Sequence, residues 1–424
     1  AQFADSMRGR EFWFAIRPLR AGVGRKLSTC IQPLPILEDA DGNILDSPQD
    51  HAETFFQHFS KIEAGRPCDP FDLVIQTFGR QISAAASLPD PSMSDSIALQ
   101  AIEDVLRNSK DGGVGEDTIP NSTFKLDPKL FAEKVLPIAM KTSLLLMEPI
   151  QWKGGYLFTL YKGKGPVRIT PSYRGILLVD CLGKNIRKII RDAAVPYAQD
   201  YFLESQRGGL KGRGTEQAMH AARLFLEYSK FHRQTASIIF VDAVSAFYTV
   251  IRQLIVDLGT SDEDIAFLFK SLGLPPSALD ELRLLLEGKT VLEHARLPPH
   301  LRRMFAEMHQ NTWFSFQNVD LVANTHRGTK PGDPFGDIMF NFLMAVMMRK
   351  VNDELHSAGL GFHVPSASGI SSSPGDPVPT PEVSYVDDLA VLLSSALASH
   401  AYSDISRAAT IVVDVFASFG IRVN

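Results

Sequence analysis

Two adjacent carboxylates, Asp387 and Asp388, lie between two apolar segments of the chain. Residues 382–386 alternate in polarity, and residues 389–393 are almost entirely apolar. This pattern predicts a buried hairpin with Tyr385-Val386-Asp387-Asp388 at its tip. Ionised carboxylates are unfavourable beside buried strands unless a cation holds them, so the pair is a candidate metal site. The alternative is an ordinary solvated Asp-Asp turn.

A third acid, Asp242, directly follows the apolar run 237–241. The run predicts a buried strand that presents a carboxylate at its C-terminal end. Two-metal phosphoryl transfer uses such carboxylates to hold two divalent ions, one activating the attacking hydroxyl and one stabilising the leaving oxygen. Because Asp242 is far from Asp387 in the chain, the site requires separate strands of one sheet. A lone acid at the end of a strand is also common, so the positions of these acids in the sequence do not by themselves show that they form a metal site.

Composition limits the class of protein. A chain of 424 residues with 45% hydrophobic and 21% charged residues has room for two or three domains and is not wholly disordered. The net charge of −5 argues against a surface that coats nucleic acid throughout. Residues 141–233 nevertheless carry 16 Lys and Arg against 7 Asp and Glu. This excess favours either a basic channel or a solvated basic face.

Cysteine usage and hydropathy bear on the compartment. Cys30, Cys68 and Cys181 are far apart and form no CxxC pattern, so neither a disulfide framework nor a zinc site is predicted. The cysteines fit a reducing, intracellular compartment, and we expect no membrane partner, since there is no run of 18 apolar residues and no signal peptide. The chain begins with Ala1 instead of Met and ends at Asn424, and we expect a piece of a longer protein.

Hydrophobic periodicity and turn residues predict the elements that position these acids. Helices are predicted over 51–62, 97–107, 129–147, 183–194 and 403–419, with another from about residue 335; strands over 157–160 and 174–179; a turn at 41–43; a helix-rich region over 250–316; and a flexible loop over 364–381.

Seven blocks, in order, resemble the motifs of reverse transcriptases, most closely those of non-LTR (LINE-type) retrotransposons. Any one block is weak, whereas several in register are specific. The blocks are the Gly-rich stretch 111–120; Lys162 with Ser172-Tyr173-Arg174-Gly175-Ile176 and Leu182-Gly183-Lys184; Gln206-Arg207-Gly208-Gly209 with Gly212-Arg213-Gly214-Thr215; Phe240-Val241-Asp242 with Ala246-Phe247; residues 327–334; Tyr385-Val386-Asp387-Asp388; and residues 419–424.

The resemblance implies an α+β fold, the fingers and palm of a right-hand polymerase, with an antiparallel ferredoxin-like palm sheet packed on helices. Residues 1–95 would be a linker or N-terminal extension, 96–235 the fingers and the start of the palm, and 236–424 the palm with a helical insertion at about 250–316. The thumb would lie beyond the chain, and whether the chain is active without it stays open.

The implied activity is RNA-directed DNA polymerisation, by which deoxynucleotides are added to a primer 3′-hydroxyl in target-primed reverse transcription. Asp242, Asp387 and Asp388 would be the catalytic acids and hold two Mg²⁺ ions, with Mn²⁺ as a possible substitute. The implied partners are an RNA template, a DNA primer or target, and deoxynucleoside triphosphates. The oligomeric state is left open.

The resemblance also implies binding roles, each with a plainer alternative. Lys162 and Arg174 would neutralise the incoming triphosphate, and Arg suits bidentate phosphate contacts, but both could be ordinary surface cations. Phe247 would lie beneath the sugar and exclude a 2′-hydroxyl, or be a core residue. Gly332 would let the backbone approach the nascent base pair, or simply make a turn. The remaining implied residues, Gly208 and Arg213, would contact the template.

Three residues depart from the motifs of the resembled family, and two rival functions remain. Gly175 stands where Pro is usual, Pro331 where Gln is common, and Tyr248 where Asp is frequent. Pro331 removes a side-chain amide and a backbone donor near the expected base pair, so fidelity or rate could change. The rivals are a non-catalytic retroelement product that binds RNA or protein partners, and an RNA-dependent RNA polymerase. Titration with a divalent metal tests the non-catalytic product, because a scaffold need not bind Mg²⁺ or nucleotide. Comparison of dGTP with GTP incorporation distinguishes a reverse transcriptase from an RNA-dependent RNA polymerase.

Overall fold

The computed structural model describes residues 36–39, 41–88, 92–259, 261–273, 276–360, 363–366, 375–379, 382–395 and 397–424. Within them the chain is a mixed α/β structure, in which helices pack against sheets. The helices are α1 (Pro48–Ile62), α2 (Pro70–Ala86), α3 (Leu99–Asn108), α4 (Asn121–Phe124), α5 (Pro128–Leu144), α6 (Cys181–Tyr201), α7 (Thr215–Phe231), α8 (Ala246–Thr249), α9 (Arg252–Ile255), α10 (Asp262–Leu272), α11 (Pro276–Glu287), α12 (Val291–His294), α13 (Pro299–His309), α14 (Gly336–Ser357) and α15 (Ala401–Ser418).

The described strands form a five-stranded sheet of order β1-β7-β6-β2-β3, a four-stranded sheet of order β4-β10-β11-β5, and a β8-β9 pair. The strands are β1 (Arg66–Cys68), β2 (Gly154–Tyr161), β3 (Tyr173–Leu178), β4 (Gln206–Arg207), β5 (Thr235–Asp242), β6 (Thr312–Phe316), β7 (Val319–Thr325), β8 (His363–Ser366), β9 (Gly375–Pro379), β10 (Val383–Tyr385) and β11 (Asp388–Ser395).

Several helices begin at a polar residue followed by proline. The side chains of Ser47, Asp69 and Asp127 accept hydrogen bonds from main-chain N–H groups of the first turns of α1, α2 and α5. A proline at the first helical position has the required φ and lacks an N–H that would be unpaired there. These local signals set the starts of α1 and α5, which hydrophobic periodicity alone predicted to within a few residues.

The five-stranded sheet is covered by α1. Phe55, Phe56 and Phe59 of this helix are buried in one cluster with Leu157 of β2 and Phe314 of β6. The sheet takes strands from all three predicted segments, because β1 lies in the first, β2 and β3 in the second, and β6 and β7 in the third. Pairs β2–β3 and β6–β7 are antiparallel, whereas β2 and β6 run parallel.

The four-stranded sheet lies between helices. On one face α7 contributes Phe225, which packs with Val383 of β10 and Leu392 of β11. On the other face β5 and β11 pack against α15, which in turn contacts α14, a largely buried helix of the large core. Strands β10, β11 and β5 are antiparallel as expected, whereas the two-residue β4 pairs parallel with β10.

Buried ion pairs tie α6, and the segment just before β2, to neighbouring parts of the chain. Arg187 has no exposed surface and donates to both oxygens of Glu148, at 2.7 and 2.8 Å, and to Asp333 at 2.5 Å. Lys153, also fully buried, is 2.8 Å from Glu307. Charges this far from water must be paired to be tolerated, so these contacts fix the loop that carries Asp333 against α6.

Most predicted elements agree with the structure, including the turn at 41–43, where Gly42 has a φ of +85°. Three differ. Strand β5 was expected to be buried, but it lies at the edge of its sheet, and Phe240 on its open face is 77% exposed. The helix-rich region 250–316 ends in β6, whose aromatic residues favour a strand.

The predicted loop 364–381 is the third difference. It contains part of β8 and all of β9, which pair antiparallel with Val364 opposite Val378. Its proline and serine residues mask the short alternation from which a strand is read. Residues 367–374 and 380–381 lie outside the described part of the chain, as do residues 1–35 with Cys30.

Cys68 and Cys181 are free thiols. Within the described residues, no helix combines the length and the hydropathy needed to cross a membrane.

Replacing Arg187 with Met should lower the free energy of unfolding by about 3–5 kcal/mol, because Glu148 and Asp333 would stay buried without their main partner. Urea denaturation measures this difference. Arg223→Met is the matched control. The Arg223 side chain is 78% exposed and makes a long ion pair of 3.7 Å with Glu227, so we expect the free energy of unfolding to change by no more than about 0.5 kcal/mol. Equal losses in the two variants would contradict a structural role for the Arg187 pairs.

Candidate active site

The three acids singled out in the sequence meet at one end of the four-stranded sheet. Strands β5 and β11 pair antiparallel over eight residues, and Asp388 lies directly opposite Asp242. The Cα atoms of such a pair are about 4.5–5.5 Å apart, and both side chains project from the same face. Asp387 lies in the turn between β10 and β11, directly before Asp388. The register agrees with the expectation that Asp242 and the Asp387-Asp388 pair come from separate strands of one sheet, and their role at a metal site stays a prediction.

The alternation of the two strands determines which face carries the acids. Val241 and Leu389, paired with each other, are buried toward the large core, as is Val391. Their neighbours Asp242 and Asp388 must then point to the opposite face and are exposed. Helix α7 covers the far part of that face but leaves the end near the acids open, since Phe240 there is also exposed.

The turn that holds Asp387 is strained. Val386 has a φ of +57°, a left-handed conformation that β-branched residues rarely adopt. Its main-chain N–H donates to the carbonyl of Arg207 at 3.0 Å, which ties the tip of the hairpin to β4. Gly208 follows, and a Cβ there would lie 2.4 Å from the Val386 side chain. The loop after β4 thus needs glycine in order to reach this turn.

The acids share an electrostatic environment with two cations. Burial raises the pKa of the Asp387 carboxyl, the Asp388 and Asp242 carboxylates raise it further, and Arg174 opposes them. Burial lowers the pKa of Lys162, with a further lowering by Arg174, whereas Asp242 acts in the opposite direction. The two predicted phosphate-binding cations therefore lie within electrostatic range of the predicted metal-binding acids.

The hairpin of β2 and β3 positions these cations. Arg174 is exposed on β3 opposite Leu160, and Lys162 follows the end of β2. The main-chain N–H of Lys162 donates to Ser172 at 2.9 Å, and its ammonium donates to the carbonyl of Pro171 at 2.8 Å. Both cations thus belong to one rigid hairpin.

The donor chemistry of the acid site fits a hard divalent cation. Asp242, Asp387 and Asp388 supply carboxylate oxygens, the ligands that such a cation prefers, and a cation there would offset the mutual repulsion that, together with burial, raises the pKa of Asp387. The side chain of Asn424 donates to one oxygen of Asp242 at 2.9 Å. As they are placed here, the three acids do not themselves form a metal-binding cluster, and no other group of three His, Cys, Asp or Glu side chains among the described residues does so.

Phe247 and Gly332 line one cavity of about 470 Å³. The Phe247 ring packs on Phe340 with centroids 5.2 Å apart. Gly332 has a φ of +109°, and a Cβ there would be 2.6 Å from the carbonyl oxygen of Leu177, so the fold alone requires glycine at this position. The proline before it still contributes its carbonyl, which accepts a hydrogen bond from the Leu177 N–H at 3.2 Å.

Two cations of this cavity, Lys188 and Arg191, were not predicted as site residues. Arg191 is held by Asp337 and by the carbonyl of Gly209, each at 2.8 Å, whereas Lys188 is exposed. Lys184, Lys188 and Arg191 follow the i, i+4, i+7 spacing of one helix face. This spacing, within the basic segment 141–233, was the signal from which a basic helix face at the site could have been predicted.

The two predicted template contacts have internal partners. Arg213 donates to the carbonyls of Leu203 at 2.8 Å and Gln206 at 3.1 Å, and its own carbonyl accepts from the Gly208 N–H at 2.8 Å. These bonds close the loop between β4 and α7. Gly208 and Arg213 therefore shape the loop that supports the strained turn, and direct contact with a template stays a prediction.

Replacing Gly208 with Ala should destabilise the protein more than the same change at Gly212. Both glycines have left-handed φ values, +82° and +84°, but a Cβ at Gly212 meets nothing within 4 Å. We expect a loss of about 1 kcal/mol for Gly212→Ala from backbone strain and about 1–3 kcal/mol more for Gly208→Ala from the clash with Val386. Denaturant unfolding of both variants measures the difference, and equal losses would show that the turn does not depend on Gly208.

Comparison with known proteins gave no relationship to assign. A scan against protein-family models found no match, and a search of curated proteins also returned none. The chemistry of the site therefore rests on the pairing of Asp242 with Asp388 and on the groups around them.

Proposed function

We propose that the chain is the catalytic core of an RNA-directed DNA polymerase, a reverse transcriptase of the non-LTR retrotransposon type. The observation that carries the proposal is the register of β5 and β11, which sets Asp242 opposite Asp388 and next to Asp387. In this proposal the four-stranded sheet with α14 and α15 is the palm. The hairpin of β2 and β3 belongs to the fingers.

The three acids would hold two Mg²⁺ ions, or Mn²⁺ in their place. When bound, the ions lower the pKa of a primer 3′-hydroxyl and stabilise the leaving phosphate oxygen. The protein's part is to hold Asp242 and Asp388 on the open face at the end of a sheet whose other face is packed, with Asp387 beside them in the turn. A site built on paired strands holds its groups in a fixed arrangement, as phosphoryl transfer requires, because catalysis there is mostly positioning and charge stabilisation.

Lys162 and Arg174 are suited to bind the triphosphate of an incoming nucleotide. They belong to one hairpin and lie within electrostatic range of Asp242 and Asp387. A nucleotide triphosphate bound with its metal ions would then be neutralised from both sides. The guanidinium of Arg174 offers a bidentate phosphate contact, and the ammonium of Lys162 acts as a point charge.

The remaining partners follow from the neighbouring surfaces and from the sequence resemblance. Lys188, exposed at the cavity that Phe247 and Gly332 line, adds positive charge where a nucleic-acid strand could pass. We propose an RNA template, a DNA primer or target and deoxynucleotides, in target-primed reverse transcription inside the nucleus or cytoplasm. Gly208 and Arg213 would act on the template through the loop they shape.

Replacing Asp387 with Ala should abolish primer extension on an RNA template by the full-length protein. We expect a rate loss of more than about 100-fold, since loss of groups that merely support metal ligands already reduces activity about 10–100-fold. The same change should not lower stability at neutral pH. Because the folded-state pKa of Asp387 is raised, its ionised form disfavours folding once the pH exceeds that pKa.

Asp414→Ala, an exposed acid on α15, is the matched control and should retain full activity. Rates of primer extension and urea denaturation at pH 7 give both readouts. Activity of Asp387→Ala equal to that of the unsubstituted protein would refute the assignment of the acids. An equal loss in Asp414→Ala would show that the assay reports stability instead of chemistry.

Replacing Phe247 with Ala should weaken discrimination against ribonucleotides. The ring lines the cavity beside Gly332 and is braced by Phe340, so its removal opens space for a 2′-hydroxyl. We expect the ratio of kcat/KM for dGTP to that for GTP to fall by about 10-fold or more. Because both nucleotides are measured on the same variant, the dGTP-to-GTP ratio is insensitive to a general loss of activity. An unchanged ratio would mean that Phe247 is a core residue without a role in sugar discrimination.

A further inference from the structure

Two of the three departures from the motifs of the resembled family are in contact with each other. The hydroxyl of Tyr248 donates a hydrogen bond to the main-chain carbonyl of Gly175. Tyr248 follows Asp242 by one short loop and the start of α8, and Gly175 directly follows Arg174 in β3. The bond therefore joins the segment that carries a metal-binding acid to the strand that carries a phosphate-binding cation.

Tyr248 is firmly held. Its main-chain N–H donates to Ser245 at 2.8 Å, and its backbone lies so close to Gly328 that a Cβ there would be 2.9 Å from the Tyr248 carbonyl oxygen. Its ring lies 6.2 Å from that of Phe59. Burial raises the pKa of the phenol, so the hydroxyl stays protonated and available as a donor.

The strand that receives this bond has a free edge. In the part of the chain that the structure describes, β3 is the outer strand of the five-stranded sheet and pairs only with β2. Gly175 has no side chain, and a Cβ there would be 3.0 Å from both Leu157 and Phe59. Glycine thus allows Phe59 to pack against the strand, and Tyr248 approaches the same residue from the other segment.

Among the hydrogen bonds of the described residues, two attach the main chain of β3 to segments outside its sheet. One is the Tyr248 bond, and in the other the Leu177 N–H donates to the carbonyl of Pro331 at 3.2 Å. The Leu177 contact lies three residues beyond Arg174, whereas the Tyr248 contact is at the adjacent residue. Loss of the Tyr248 bond would leave β3 paired with β2 and attached at Leu177, but it would remove the link, beside Arg174, to the segment that carries Asp242.

We propose that Tyr248 is a positioning residue that sets the place of Arg174 over the acid site, and so the affinity for the triphosphate of an incoming nucleotide. This inference rests on the proposed polymerase function. Tyr248 does not touch the reacting atoms in this proposal; it acts through the backbone of β3. Because reacting groups must be placed to within about 1 Å, a small shift of Arg174 has a measurable effect.

Tyr248→Phe tests the proposal, since it removes the hydroxyl and keeps the ring beside Phe59. In the full-length protein we expect KM for dGTP to rise about 3- to 10-fold, the range of one lost hydrogen bond, with kcat within about twofold. Calorimetry with dGTP and Ca²⁺, in place of the catalytic ions, should show the same weakening without turnover. Tyr402→Phe, an 85% exposed tyrosine on α15, should leave both values unchanged.

A double-mutant cycle separates positioning from a general structural role. If Tyr248 acts through Arg174, Tyr248→Phe should have no further effect on KM in an Arg174→Ala background. Additive effects, an unchanged KM, or a fall in kcat alone would overturn the proposal. A wild-type protein that neither extends primers nor binds dGTP would overturn the proposed function, and this inference with it. Active wild-type protein with an unaffected Tyr248→Phe variant refutes the inference alone.

Discussion

The antiparallel register of β5 and β11 is the constraint on which the acid site depends. Because side chains alternate along a strand, a slip of one residue would move Asp388 to the face opposite Asp242. The apolar residues on the other face prevent such a slip, since Leu389, Val391 and Leu393 would then leave the core. The large core beneath the sheet therefore determines where the carboxylates lie, although none of its side chains carries chemistry.

The site also depends on structure that stores strain. Val386 adopts a left-handed conformation at the tip of the hairpin, and the loop after β4 holds it there through the Arg207 carbonyl and the close approach of Gly208. Strained turns persist where surrounding packing fixes them, and here the support comes from β4 and the loop after it, which are distant from Val386 in sequence.

Local features of the site were predictable from the sequence, whereas its long-range contacts were not. The apolar runs beside Asp242 and Asp387 predicted their strands, and hydrophobic periodicity predicted several helices, because these signals depend on neighbouring residues only. The open face of β5 and the strands over 312–325 were missed or misread. The burial of these strands depends on pairing with strands that are distant in sequence, which local patterns do not reveal. Gly332 shows a second limit, since its contact with the Leu177 carbonyl requires glycine whatever its role toward a nucleotide.

The departures at Gly175 and Tyr248 are best understood as one feature. A proline at position 175 would also offer a carbonyl, but its Cβ would press on Leu157 and Phe59, which lie 3.0 Å from that point. An aspartate at 248 would be too short to reach the strand and, as an ionised carboxylate, could only accept a hydrogen bond. Gly175 leaves room for Leu157 and Phe59, and Tyr248 supplies the hydrogen-bond donor, so the two residues together form one contact. The junction between the acid-bearing sheet and the cation-bearing hairpin is thus self-consistent in this chain, which is why the departures do not by themselves argue against a working site.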